Sequence, residues 1–160
     1  MSFARGGWFV WLSLLVACML TVVELPQWAV WLRPSWALLV LLYWVLALNR
    51  AGIMLAWVLG IVLDLLSGSL LGVHALALVI VVYIVLKLQK QLRVFPLVQQ
   101  AFIVFILSVI YQLIIYWAQS VVGNAPTEWL FWLAPFINGL IWPWMFALLR
   151  HCRRYFKVGV

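Results

Sequence analysis

Long apolar runs separated by short polar breaks make up almost the whole sequence. The runs cover residues 8–23, 31–48, 53–66, 70–86, 97–122 and 129–149. At roughly 20 residues for each membrane-spanning helix, a chain of 160 residues has room for six such helices and short connections. The pattern therefore predicts an all-α integral membrane protein, a six-transmembrane-helix bundle that forms one domain over residues 1–160.

The break between the third and fourth runs, Ser67-Gly68-Ser69, carries no charge. If residues 53–86 formed one helix, it would be about 51 Å long, whereas the hydrocarbon core is only about 30 Å thick. We therefore predict that the chain reverses at this break. Gly72, shortly after it, makes a tight turn easier.

The distribution of charge predicts an orientation. With the N-terminus in the cytoplasm, nine of the ten Lys and Arg residues fall on the cytoplasmic side. Arg33 then lies outside with the loop carboxylates Glu24 and Glu128. This bias follows the positive-inside rule, and it would be lost without the reversal at the third break. We predict cytoplasmic N- and C-termini, with a basic cytoplasmic tail at residues 150–160.

Tryptophan side chains favour the headgroup region of a bilayer, so we interpret the tryptophans of this chain as membrane anchors. Those predicted near the cytoplasmic ends are Trp8, Trp11, Trp44, Trp57, Trp142 and Trp144. Those predicted near the periplasmic ends are Trp28, Trp31, Trp36, Trp117, Trp129 and Trp132.

Composition excludes several classes of function. Hydrophobic residues make up 69% of the chain and charged residues 8%, too few charges to cover a water-facing surface. The net charge of +7 does not indicate nucleic-acid binding, because the basic residues form no continuous face. Cys18 and Cys152 lack the spacing of zinc ligands. No nucleotide-binding loop, nucleophile elbow or acid–base pair is present, so we predict neither catalysis nor a metal or cofactor.

Asp64 lies within the third run, where an aspartate at a helix centre costs roughly 2.5–3.5 kcal/mol. We expect it to face the interior and to pair with His74 or with backbone N–H groups at the start of the fourth helix. Three roles stay open for Asp64: a structural cap of the hairpin, a contact with a partner, and part of a proton or ligand relay.

Small residues recur every four positions around Asp64, and on a continuous helix they would form a groove for another helix. A second polar segment lies in the sixth run, where Pro135 and Pro143 should kink the helix and Asn138 needs an interior partner. Gln112 and Gln119 could line the same interior. The predicted intramembrane polar and packing site is Gly60, Asp64, Ser67, Gly68, Gly72, His74, Asn138 and Gly139.

The C-terminal tail places four basic residues at the helical spacing i, i+3, i+4 and i+7. Such a row near a membrane attracts anionic lipids, and it could also dock a cytoplasmic partner. The predicted lipid-headgroup or cytoplasmic contact residues are Arg150, Arg153, Arg154 and Lys157.

Three stretches resemble the MreD family of rod shape-determining proteins of Gram-negative bacteria: residues 33–44, 60–73 and 138–144. The resemblance implies a cell inner-membrane component of the machinery that builds lateral peptidoglycan, without catalytic residues. It also implies a fold similar to the substrate-binding S subunits of energy-coupling-factor transporters. The implied partners are MreC, a single-span protein, directly, and MreB and the RodA/penicillin-binding synthase pair indirectly.

On this basis we expect a scaffold that holds and orients MreC. The expected contacts are the face from Gly60 to Gly72 and the periplasmic loops at residues 24–33 and 123–128. Exposed helix faces would also allow a homo-oligomer. The alternative is a small-molecule-binding subunit of the S-component type, with a pocket around Asp64, His74 and Asn138. Handling of a lipid precursor is a third, weaker alternative.

Overall fold

A computed structural model describes residues 7–23, 26–27, 35–47, 52–68, 70–124 and 127–156. In these residues the chain forms six α-helices and one short 3-10 helix, which confirms the all-α prediction. The helices are α1 (Gly7–Val22), α2 (Trp36–Ala47), α3 (Gly52–Ser67), α4 (Val73–Val94), α5 (Leu97–Val121) and α6 (Leu133–Tyr155), and the 3-10 helix Trp129–Trp132 precedes α6.

Three of the helices, α4, α5 and α6, are long and apolar enough to cross a membrane by themselves. The other three are apolar but shorter: α1 and α3 have 16 residues each and α2 has 12. A helix of 12 residues extends only about 18 Å. The six spans and the cytoplasmic termini therefore stay predictions.

Helix α2 is the centre of the bundle. It packs on α1, α3, α4 and α6, and every residue from Ala37 to Leu46 is buried. Its sequence, WALLVLLYWVLA, is apolar on all sides, as expected for a helix that contacts protein all round. The other helices surround it and turn large apolar side chains outward.

The predicted reversal is present between α3 and α4, which form the most closely associated helix pair. Helix α3 ends at Ser67, and the turn contains Gly68 with φ 64° and Gly72 with φ 98°. Both angles lie in the left-handed region, where glycine carries no steric penalty. Ser69, also part of the predicted break, lies outside the described residues.

The start of α1 and the end of α6 meet at one end of the bundle, where Phe9 stacks on Phe156 at 4.7 Å between ring centroids. Arg93, Arg150 and Arg153 lie around one pocket at this end, which we call the basic end. The opposite end holds the turn between α3 and α4, and we call it the hairpin end. The charged residues Arg5, Glu24, Arg33, Arg50 and Lys157, which enter the predicted orientation, lie outside the described residues.

Helix boundaries differ from the apolar runs of the sequence. Residues 87–94, which follow the fourth apolar run, continue α4 to Val94, because straight-chain Lys, Gln and Leu residues are good helix formers. Pro135 lies in the first turn of α6, where the backbone N–H that proline lacks is not needed. Pro143 lies inside α6, and the kink predicted there stays a prediction.

Two tryptophans predicted to be membrane anchors are fully buried instead. Trp44 and Trp142 are both 0% exposed. The indole of Trp44 donates to Ser13 Oγ at 2.8 Å, and that of Trp142 to Gln100 Oε1 at 3.4 Å. Each indole N–H therefore has a polar partner inside the bundle, so these rings can be core residues. Trp28 and Trp31 lie outside the described residues.

Candidate functional site

Asp64 lies in the last turn of α3, 1% exposed, and its carboxylate reaches the start of α4. Oδ2 accepts from the backbone N–H of Gly72 at 2.8 Å, and Oδ1 accepts from the backbone N–H of His74 at 3.0 Å. The imidazole Nδ1 of His74 lies 2.7 Å from Oδ1. The structure thus contains both contacts, to the imidazole and to backbone N–H groups, that the sequence left as alternatives.

Three hydrogen-bonding groups surround the carboxyl group of Asp64. Both of its oxygens accept from backbone N–H groups, and the positive end of the α4 dipole stabilises negative charge at this position. With Oδ1 as an acceptor, His74 Nδ1 carries the proton and donates. Of the three roles considered for Asp64, this geometry supports the structural one: the side chain fixes α3 against α4 across the turn.

Gly60, one turn before Asp64, allows α3 and α4 to approach closely. A Cβ atom at Gly60 would lie 2.2 Å from Ala75 Cα and 2.5 Å from Ala75 N. The predicted groove is thus filled by the chain's own fourth helix and is not open to a partner. Gly68 and Gly72 are not part of it, since nothing lies within 4 Å of a Cβ at either position.

Asn138 connects three helices at the hairpin side of the bundle and is 0% exposed. Its Oδ1 accepts from the backbone N–H of Ser35, just before α2, at 2.8 Å, and its Nδ2 donates to Ser108 Oγ on α5 at 3.1 Å. The neighbouring Gly139 packs on Phe105 of α5, whose Cβ would lie 3.3 Å from a Cβ at this position. The polar segment of α6 therefore serves helix packing.

Replacing Asn138 with leucine should lower the free energy of unfolding by about 2 kcal/mol, because the Ser35 N–H and the Ser108 hydroxyl lose their buried partner. Asn138→Asp keeps the acceptor for Ser35 but buries an ionisable carboxyl group at a fully buried position, so it should not restore the stability of the wild type. Chemical denaturation of the purified protein in detergent measures both. Equal stability of the wild-type and leucine forms would contradict this role.

A polar cavity of about 330 Å³ lies at the hairpin end. All six helices contribute to its wall, but Asp64 and Asn138 do not line it, contrary to the pocket expected from the sequence. Gln112 donates from its wall to the carbonyl of Phe131 at 3.2 Å. Gln119 Oε1 is buried with no hydrogen-bond partner in the described part of the chain. The polar residues of the wall are Thr21, Ser35, Ser67, His74, Tyr111, Gln112 and Gln119.

At the basic end, side chains of α4 cap the C-terminus of α2. Gln89 Nε2 donates to the carbonyl of Val45, and Arg93 Nε donates to that of Leu46, both at 2.8 Å. The last carbonyls of a helix have no partner within the helix itself, so these side chains supply one. Sequence reasoning treated Arg93 only as a topology signal and did not single out Gln89.

The basic residues of the C-terminal tail occupy two kinds of position at the basic end. Arg150 and Arg153 line a pocket together with Arg93, and Arg153 hydrogen-bonds to the Tyr43 side chain. Arg154 is exposed and is not part of the wall of that pocket. Lys157, the fourth predicted contact residue, lies outside the described residues.

Comparison with known proteins gives a consistent match. The family model described as rod shape-determining protein MreD matches residues 4–152. The chain is 41% identical over 155 residues to the rod shape-determining protein MreD of Haemophilus influenzae, and the match covers 94% of each chain. No solved structure matches the chain, so the expected likeness to transporter S subunits stays a prediction.

Proposed function

Since this chain belongs to the MreD family of rod shape-determining proteins, we propose that it is the scaffold that holds and orients MreC for lateral peptidoglycan synthesis. Its family makes it a non-enzymatic protein of the inner membrane that acts in determining cell shape. A protein with so little mass outside its helices acts through its helix faces, its short loops or an internal cavity.

The observation that carries the proposal is an apolar groove on the outer surface, between α1 and α3. The groove has a volume of about 80 Å³ and is lined by apolar side chains and Cys18. Helix α1 packs mainly on α2 and only lightly on α3, which leaves the groove open along both helices. Its lining residues are Trp11, Leu14, Leu15, Cys18, Leu55, Val58, Leu59 and Val62.

A single-span partner fits this groove. The family resemblance implies that MreC presents one transmembrane helix, and helices associate in membranes through close van der Waals packing. The rim carries Trp11, Leu15 and Val58, all exposed and apolar, so a partner helix would replace lipid there without burying a polar group. Ala75 fills the space beside Gly60, so the Gly60–Gly72 face is closed to a partner. We therefore place the proposed MreC contact in this groove.

Filling the groove should weaken MreC binding. We expect Leu15→Trp and Val58→Trp each to reduce the MreC that co-purifies in detergent by about tenfold, the effect of losing roughly 1–2 kcal/mol of helix packing. Ile106→Trp is the matched control, because Ile106 is also an exposed aliphatic residue but lies on α5. It should leave MreC recovery unchanged.

Disulfide crosslinking maps the same contact. In a background of Cys18→Ala and Cys152→Ser, cysteines at positions 15 and 58 should crosslink to cysteines along the MreC span, whereas one at position 102 on α5 should not. Full MreC recovery with both tryptophan variants, together with crosslinks from position 102 alone, would contradict the groove as the binding site.

Other contacts follow from the scaffold role. The loops at residues 24–33 and 123–128 remain proposed periplasmic contacts with MreC, and most of the first loop lies outside the described residues. MreB and the RodA/penicillin-binding synthase pair are reached through MreC. The exposed residues Leu113 and Trp117, further along α5, are available for a homo-oligomer.

Binding of a small molecule is the second candidate function, and the cavity at the hairpin end favours it. Its volume of about 330 Å³ is in the range of small-ligand sites, and the buried Gln119 Oε1 is an acceptor that a ligand could use. Mass spectrometry of metabolites released from the purified protein separates the two functions. A retained compound that is lost on Tyr111→Ala or Gln119→Leu would favour the small-molecule reading over the scaffold.

A further inference from the structure

The pocket at the basic end brings together three arginines from two helices. Its volume is about 280 Å³. Arg93 comes from the end of α4, and Arg150 and Arg153 come from the last turns of α6. The wall of the pocket also contains Tyr43, Gln100 and Phe146.

In the described part of the chain, no acidic side chain lines this pocket. The acidic residues of the whole chain are Glu24, Asp64 and Glu128. Asp64 is bound to the start of α4 at the opposite end, and Glu128 directly precedes the 3-10 helix, also at that end. The C-terminal carbonyls of α2 attract positive charge, but the donors from Gln89 and Arg93 Nε already satisfy two of them. An excess of positive charge therefore remains.

Hydrogen bonds hold two of these arginines, Arg93 and Arg153, in place. Arg93 is fixed through Nε to the carbonyl of Leu46, so its terminal Nη groups, which make no hydrogen bond to the described residues, are held at the pocket. Arg153 is held by the hydroxyl of Tyr43, and Arg150 lies almost one helical turn before it on the same side of α6. Guanidinium groups fixed in this way match the geometry of a phosphate group, which they bind with paired N–H donors.

We propose that this pocket binds the phosphate headgroup of an anionic phospholipid. The pocket has room for roughly nine water molecules at ~30 Å³ each, enough for a phosphate and a glycerol unit. Phe146 and Leu46 in its wall supply apolar surface beside the charges, where the upper part of an acyl chain would pass. By the predicted orientation this is the cytoplasmic end, where basic pockets between helices meet anionic lipid.

An acidic segment of a soluble partner is the competing occupant. Trp8 is exposed and packs on Phe156 at this end of the bundle. Exposed tryptophans favour the headgroup level of a bilayer, so the three charges lie where the headgroups of anionic phospholipids are available. The proposal therefore commits to lipid. It does not depend on MreC binding, which we place in the groove between α1 and α3.

The test is a lipid titration of the full chain purified in detergent, followed by the midpoint of thermal unfolding. Short-chain phosphatidylglycerol should raise the midpoint and saturate, and phosphatidylcholine with the same acyl chains should not. Arg93→Gln, Arg150→Gln and Arg153→Gln should each weaken the apparent affinity for phosphatidylglycerol by about tenfold, the loss of one charge-assisted hydrogen-bonding group. Arg154→Gln, which removes the same charge just outside the pocket, should weaken it by less than about twofold.

Controls decide the source of the phosphate and keep the test valid. Arg93→Gln also removes the donor to Leu46 and could impair folding, but Arg150 makes no hydrogen bond to the described residues, so Arg150→Gln tests the pocket alone. An equal loss with Arg154→Gln would overturn the proposal, since general surface charge would explain it. Saturation by inorganic phosphate at the same concentration, or tighter binding of an oligoglutamate peptide than of phosphatidylglycerol, would overturn the assignment to lipid.

Discussion

Valine at position 60 should prevent the protein from accumulating in folded form. A Cβ at this position lies 2.2 Å from Ala75 Cα and 2.5 Å from Ala75 N, so the conflict is with backbone and no rotamer relieves it. Helices α3 and α4 would have to separate, and the contacts of Asp64 with Gly72 and His74 would break with them. Even Gly60→Ala should cost about 3 kcal/mol, the upper end of what overpacking costs.

The measurement is the yield of monodisperse protein extracted from membranes, followed by thermal unfolding in detergent. Gly139→Ala is the matched control, because its nearest contacts are Phe105 Cβ at 3.3 Å and the carbonyl oxygen of Ala101 at 3.4 Å, which small shifts accommodate. Ala75→Gly should not rescue Gly60→Val, since the backbone of residue 75 remains. Normal yield and stability of Gly60→Val would contradict the packing of the hairpin.

Loss of the Asp64 carboxylate should have the second largest effect. Asp64→Ala leaves two backbone N–H groups and the imidazole of His74 without an acceptor, and we expect it to lower the free energy of unfolding by about 3–5 kcal/mol. Asp64→Asn keeps one acceptor oxygen and should cost less. His74→Leu leaves both backbone bonds in place and should cost only about 1 kcal/mol.

Denaturation of the purified variants in detergent gives this order of stability, and MreC co-purification gives a second readout. A structural role predicts that MreC recovery falls only as far as the amount of folded protein falls. If Asp64→Ala were as stable as wild type but lost MreC, Asp64 would be a partner contact instead. A fully stable His74→Leu variant with the order of the other two preserved would show that the backbone bonds alone hold the carboxylate.

The hairpin illustrates how far the sequence could go. A comparison of helix length with membrane thickness located the reversal correctly. The rise per helical residue and the thickness of the hydrocarbon core are nearly the same for all membrane proteins. The four-residue spacing of Gly60, Asp64, Gly68 and Gly72 suggested one groove. The glycines instead serve two purposes: close packing at position 60 and positive φ at positions 68 and 72. Spacing cannot separate these uses, because it does not show where the helix ends.

The sequence showed which buried polar residues need hydrogen-bond partners, but it did not always identify those partners. An isolated acid in an apolar run must be satisfied, and His74 and the start of α4 were close enough in sequence to name. The partner of Asn138 is Ser35, 103 positions away, and no local pattern connects them. Similarly, hydropathy cannot distinguish the buried Trp44 from the exposed Trp57, since both lie in apolar runs of the same character.

The central position of α2 has a consequence for how the protein is made. The residues that satisfy its two ends, Asn138 for Ser35 and Gln89 with Arg93 for Val45 and Leu46, all come later in the chain. While the ribosome is still producing the second half of the chain, the peptide groups at the two ends of this segment lack these partners. Only the arrival of α6 completes it, so a chain cut short by premature termination would carry an incompletely capped central helix and be open to quality-control proteolysis.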